Sequence, residues 1–102
     1  MHSFSFRLYV TGDTERSRRA VAKLRELCEH RIAGDYELDI VNVLEQPELA
    51  EEDRIIATPT VIRRLPLPYR RVIGDLTDLY LTATALEIPD LQPSREEKGG
   101  LL

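Results

Sequence analysis

The stretch from Leu49 to Leu76, LAEEDRIIATPTVIRRLPLPYRRVIGDL, decides the fold because it sets an acidic helix end, a proline-led strand and a Gly-Asp turn in one order. Pro47 suits the first position of a short helix, where a missing N–H is not needed, and Glu48, Glu51 and Glu52 lie on a helix predicted to finish near Arg54. Thr58-Pro59-Thr60 then opens an apolar run. Val61 to Leu65 and Tyr69 to Ile73 read as two strands, with Pro66-Leu67-Pro68 interrupting regular pairing between them. A hairpin is the economical connection, closed by Gly74-Asp75.

Upstream, Phe4, Phe6, Leu8 and Val10 alternate with Ser5, Arg7 and Tyr9, the period of two that turns one side of a strand to a core. Thr14 can cap a following helix, on which Val21, Leu24, Leu27, Cys28 and Ile32 recur at spacings of three and four until Gly34. Tyr36, Leu38 and Ile40 alternate again. Strand, helix, strand in this order implies a parallel pair with a right-handed crossover, half of an α/β domain.

Downstream, Thr77 can cap a last helix in which Leu79, Ala83 and Leu86 share a side, yet Leu79, Leu81, Ala83 and Ala85 would line a strand equally well. Periodicity leaves both readings open. The ordered domain is expected over residues 1–88, and the residues 89–102, with little periodic apolar content, read as a flexible tail.

The chain has 102 residues, enough for one domain that buries roughly 65% of its unfolded surface. Its 14 basic and 18 acidic residues give a net charge of -4, without the broad positive field that nucleic-acid binding exploits. No run of about 18 apolar residues could span a bilayer, and the N-terminus lacks a basic region followed by a long apolar segment. No membrane partner is expected, and a cytoplasmic location follows. Cys28 is the single cysteine, which agrees with a reducing compartment.

Catalytic chemistry finds little footing. The loop Thr11 to Arg16 holds no Cys-x-x-Cys pair, and Cys28 sits on an apolar helix face where a thiol is inert packing. His2 and His30 have no companion cluster for a metal, and Glu51, Glu52 and Asp53 have no nucleophile or phosphate loop beside them. No cofactor and no enzyme activity are expected. The basic residues are the stronger candidates: Arg19 and Lys23, with Arg16, Arg18 and Arg25, crowd the first helix, while Arg63, Arg64, Arg70 and Arg71 gather around the hairpin. Arginine is favoured at interfaces because its planar fork bonds carboxylates in pairs.

Taken together, Leu8-Tyr9-Val10, Gly12, Thr14, Leu49-Ala50-Glu51-Glu52-Asp53, Ala57-Thr58-Pro59-Thr60, Leu65-Pro66, Pro68, Arg70-Arg71 and Ile73-Gly74-Asp75-Leu76 resemble the KaiB family at unchanged spacing. The resemblance implies a metamorphic protein with a thioredoxin-like βαβαββα state, which binds partners, and a usually tetrameric ground state of βαββααβ topology. It also implies that Pro59 is cis at the start of the third strand. Many members carry Gly-x-Asp where this chain has Ala85-Leu86-Glu87, and alanine is better than glycine in a helix by about 1 kcal/mol. The thioredoxin-like state, as a monomer, is therefore expected, with Pro59, Gly74, Asp75, Ala85 and Glu87 as structural or fold-switch positions.

By the same resemblance the implied function is a non-enzymatic clock adaptor for the KaiC ring ATPase, with capture of KaiA and competition with the sensory domain of SasA as further roles. Arg19 and Arg63 keep positive charge at basic family positions. Asp39, with Glu37 nearby, stands where clock members often carry lysine. A thioredoxin-like stress-signalling module with another partner and a monothiol oxidoreductase remain as alternatives.

Overall fold

The structure, a computed structural model, describes residues 2–91. The elements follow the order β1 (Phe4–Val10), α1 (Glu15–Ile32), β2 (Tyr36–Asn42), α2 (Pro47–Glu52), β3 (Thr60–Leu65), β4 (Arg70–Ile73) and α3 (Leu79–Leu86). This is the βαβαββα order. The sheet runs β2-β1-β3-β4, with β1 and β2 parallel and the other two pairs antiparallel.

Strand alternation divides the sheet into two unequal faces. Phe4, Phe6, Leu8 and Val10 of β1 and Val61 of β3 bury against Ala20, Leu24, Leu27, Cys28 and Ile32 of α1 and Ala83 and Leu86 of α3. Burying one such leucine stabilises the fold by roughly 1.5 to 3 kcal/mol. The opposite face carries a smaller cluster of Tyr9, Val41 and Ile62, covered by Leu49, Ala50 and Ile55. Short α2 covers no more than that.

Local chemistry sets the element ends. Thr14 accepts a hydrogen bond from the Ser17 N–H at 3.1 Å, the expected cap of α1. Gly34 follows that helix at φ 77°, a conformation that costs glycine no steric penalty. The last helix differs from expectation: its cap is Asp78, whose Oδ1 accepts from the Leu81 N–H at 3.0 Å, and Thr77 lies one residue before it. Helix α2 ends at Glu52, two residues ahead of the predicted Arg54, which is left-handed at φ 53°.

The Thr58-Pro59 bond is cis, as are Leu65-Pro66 and Leu67-Pro68. The Gly74 N–H donates to the Pro59 carbonyl at 2.8 Å, tying the end of β4 to the start of β3. Among the described residues no helix is long and apolar enough to cross a membrane. The expected tail falls, from Gln92 onward, outside the described residues.

Candidate partner-docking surface

A cleft opens where the N-terminus of α1 meets the cis proline. Its cavity of about 340 Å³ is lined by Val10, Thr11, Thr14, Arg16, Ser17, Thr58 and Pro59. Thr11 and Thr58 hold each other across it, oxygen to oxygen, at 2.6 Å. The cleft therefore presents hydroxyls and no sulfur. Cys28 lies elsewhere, fully buried under α1, and burial, with the charge of Glu29 beside it, pushes its thiol up to about 12. Such a thiol supplies almost no thiolate at neutral pH.

The basic residues do not form one patch. On α1, Arg16, Arg19 and Lys23 border a small hollow completed by Ala20, Asp75, Leu76 and Thr77 from the turn after β4. Arg16 Nε donates to Asp75 Oδ1 at 2.8 Å, which fixes that turn against the helix. Arg19 bonds Glu15 one turn earlier at 3.0 Å, an exposed pair worth a few tenths of a kcal/mol at most. Both Arg19 and the half-buried Lys23 point along the ridge beside the turn.

The hairpin cations split by strand parity. Arg63 pairs with Phe6 and Arg70 in the sheet register, so both arginines stand on the α1 and α3 face. Arg63 is 4% exposed, and this departs from its expected place on a docking surface. Its Nη1 donates to the Leu86 carbonyl at 3.0 Å and its Nη2 to the Pro68 carbonyl at 2.7 Å. The guanidinium thus joins the end of α3 to the β3–β4 loop, satisfying helix-end carbonyls that have no partner within the helix. Arg70 pairs with Glu87, whose carboxyl is held below its ordinary range by that hydrogen bond and charge.

On the other face, Arg71 reaches the end of α2, donating to the Asp53 carbonyl at 2.6 Å and the Arg54 carbonyl at 3.3 Å. Arg64 is half-buried at the end of β3. Of the residues expected to act in partner binding, Arg19 and Lys23 lie together, while Arg63, Arg64, Arg70 and Arg71 occupy three separate environments.

Two features escaped the sequence reading. Arg7 pairs with Asp39 at 2.9 Å and with Asp53 at 3.6 Å, while the buried Tyr9 hydroxyl lies against the Asp53 carboxylate and the Leu49 carbonyl, so one polar network ties α2 to the sheet. Burial and the Asp53 charge raise the Tyr9 phenol above its ordinary value. Parity would have found part of this network, because Arg7 and Tyr9 share a face. The second feature is α3, where Tyr80 and Leu81 remain exposed.

Fold and cleft define a thioredoxin-like domain whose cleft carries hydroxyls where thiols would stand. The N-terminal domain of Synechococcus elongatus SasA superposes with a TM-score of 0.70 at 23% identity, over 85% of this chain and 86% of that one. Mitochondrial thioredoxin 3 of Saccharomyces cerevisiae superposes with a TM-score of 0.66 at 15% identity, over 84% and 78%.

Residues 7–88 match the KaiB domain. The circadian clock oscillator protein KaiB of Prochlorococcus marinus (strain MIT 9312) is 51% identical over 86 residues, covering 84% of this chain and 82% of its own. The circadian clock protein KaiB3 of Synechocystis sp. is 40% identical over 88 residues, covering 86% of each chain. The chain belongs to the KaiB family of circadian clock proteins.

Proposed function

We propose that this chain is a non-enzymatic cytoplasmic clock adaptor that docks on a KaiC-like ring ATPase in its thioredoxin-like state, with Arg19 and Lys23 on the docking face. The observation that carries this reading is the ridge of Arg16, Arg19 and Lys23 packed beside the Asp75–Thr77 turn of a KaiB-family chain. Chemistry then belongs to the ring. Arg64, Arg70 and Arg71 contribute at the margin of the docking face, and Arg63 supports it from inside by fixing α3.

The likeness to the SasA domain supports competition with SasA, since two proteins of one shape can occupy one site. Capture of KaiA has less support in this chain. Asp39, on the outer strand β2, is engaged by Arg7 and places a negative charge where clock relatives often carry lysine. That reversal favours, as a second reading, a signalling module whose edge-strand partner is basic. The monothiol alternative has a single thiol, Cys28, which is buried and pushed up to about 12.

Titration against purified KaiC-like rings in both phosphorylation states tests the proposal, with Arg19→Glu and Lys23→Glu alongside. Saturable binding that weakens in the variants and with added salt is expected. No association with any such ring at high protein concentration overturns it.

A further inference from the structure

Residues 44–54, LEQPELAEEDR, carry five acidic side chains and one basic, a net charge of -4 that equals that of the whole chain. The excess charge is therefore concentrated at α2. Asp53 is engaged by Arg7 and Tyr9, whereas Glu45, Glu48, Glu51 and Glu52 are exposed and none of them is in an ion pair among the described residues. Apolar surface lies beside this charge. Ile56, at 84%, is the most exposed large apolar side chain among the described residues, and it lines a groove of about 190 Å³ with Val43, Ala50, Ile55 and Ala57. Leu44, 69% exposed, follows Val43 and packs over Gly12.

This surface is held from beneath. The Tyr9 hydroxyl donates to the Leu49 carbonyl at 2.9 Å and Arg71 Nη2 to the Asp53 carbonyl at 2.6 Å, so the sheet fixes α2 in place. Asn42 Oδ1 accepts from the Gly12 N–H at 2.9 Å and the Leu44 N–H at 3.0 Å, which fixes the turn that presents Leu44. A preformed surface loses less freedom on binding.

We propose that this end of the domain is a second docking face, for a segment of a partner protein that carries a large apolar side chain flanked by lysine or arginine. Charge complementarity selects this occupant. The apolar side chain seats in the groove beside Ile56 and Leu44, while its basic neighbours meet Glu48, Glu51 and Glu52, which lie three and four residues apart on α2. The same carboxylates repel nucleic acid and anionic lipid. They also repel an acidic segment of the kind that suits Arg19 and Lys23, and the two faces share no residue. Six residues of helix and one groove bury less than about 1,200 Å² in total, the range of weak and transient interfaces. The contact needs no ring ATPase, so it stands or falls separately from the proposed function.

The experiment is titration of the full chain, followed by amide chemical shifts, with short synthetic peptides that set one leucine or phenylalanine among lysines and arginines. Matched peptides replace the basic residues by glutamate, or the apolar residue by serine. Saturable shifts over residues 43–58 are expected with the first set alone, and added salt should weaken them. Ile56→Ser, which alters a mostly exposed side chain, should weaken binding by about tenfold, and so should the double change Glu48→Lys and Glu51→Lys, with the shifts of β1 and α1 unmoved in both free variants. Equal binding of the serine-matched peptides would reduce the contact to unspecific charge attraction and overturn the proposal. So would an absence of shifts with every peptide, shifts that map to Arg19 and Lys23, or an affinity that neither variant alters.

Discussion

Arg63 shows how far one side chain can travel from its apparent role. In sequence it is one arginine in a basic cluster, but β3 parity sets it beside Val61 on the core face, and its fork closes the end of α3. Arg63→Met should therefore lower stability in urea denaturation by about 2 to 4 kcal/mol, because buried carbonyls lose a charged donor. Arg71→Ala, at an exposed site, should cost less than about 1 kcal/mol. Cys28 is a simpler case. Its raised thiol and full burial predict labelling by a thiol reagent only at the rate of unfolding, and Cys28→Ser should cost about 1 to 3 kcal/mol by burying an unpaired hydroxyl. Glu87 gives a pH test. Arg70 holds its carboxyl below the ordinary 4.5, so the folded state binds that proton less readily than the unfolded chain, and stability from this pair is present above pH 4.5 and lost as pH falls below it. The pair is exposed, so the loss is small and salt-sensitive. Acid titration followed by thermal melting should show a shallower decline in Glu87→Gln.

Element by element, legibility followed the strength of periodicity. Strand β1 and helix α1 were readable because each repeats its apolar spacing over a long run and Thr14 supplies a cap. The hairpin was readable because prolines interrupt it. Helix α3 was ambiguous for a physical reason: with no charged residue between Leu79 and Leu86, neither period is marked by a polar face. What settles it in the structure is partly distant. Asp78 caps its start locally, but its end is held by Arg63 from β3 and by Glu87 paired to Arg70 of β4, contacts no local window contains. The candidate site was half legible for the same reason. Arg19 and Lys23 follow from helical spacing, whereas the Asp75 turn beside them comes from 59 residues beyond Arg16. Exposed Ala85 is where propensity acts without packing, so Ala85→Gly should cost α3 about 1 kcal/mol, seen as weakened amide protection over residues 79–86.

At the scale of the molecule, if the chain shares the two topologies that the family resemblance implies, these local terms bear on the balance between them and on its link to the proposed docking. If partner binding requires the βαβαββα arrangement, apparent affinity is the intrinsic affinity scaled by the fraction of chains already in it. On the proposed docking, charge on the Arg19 and Lys23 ridge would act on the intrinsic affinity, whereas Ala85 would act on the fraction. The two should separate experimentally. Arg19→Glu should weaken ring binding by about tenfold while leaving backbone chemical shifts in the thioredoxin-like pattern, and its effect should shrink as salt screens the ridge. Ala85→Gly should leave the salt dependence unchanged. A loss of about 1 kcal/mol from α3 lowers the competent population only where the other topology lies within about the same interval, because a chain strongly biased to one state keeps nearly all its molecules there. In that narrow case the variant should show a second set of amide resonances and a slower approach to binding, and dilution of affinity by up to about fivefold. If the wild-type chain is biased by several kcal/mol, Ala85→Gly should bind like wild type, and the added substitution Arg63→Met should then expose the equilibrium by removing the clamp on the same helix. Titration of the ring with the single and double variants, alongside backbone shifts of each free chain, measures both quantities. Equal loss of affinity in Arg19→Glu at low and high salt would show that the ridge acts through the fold instead of through contact.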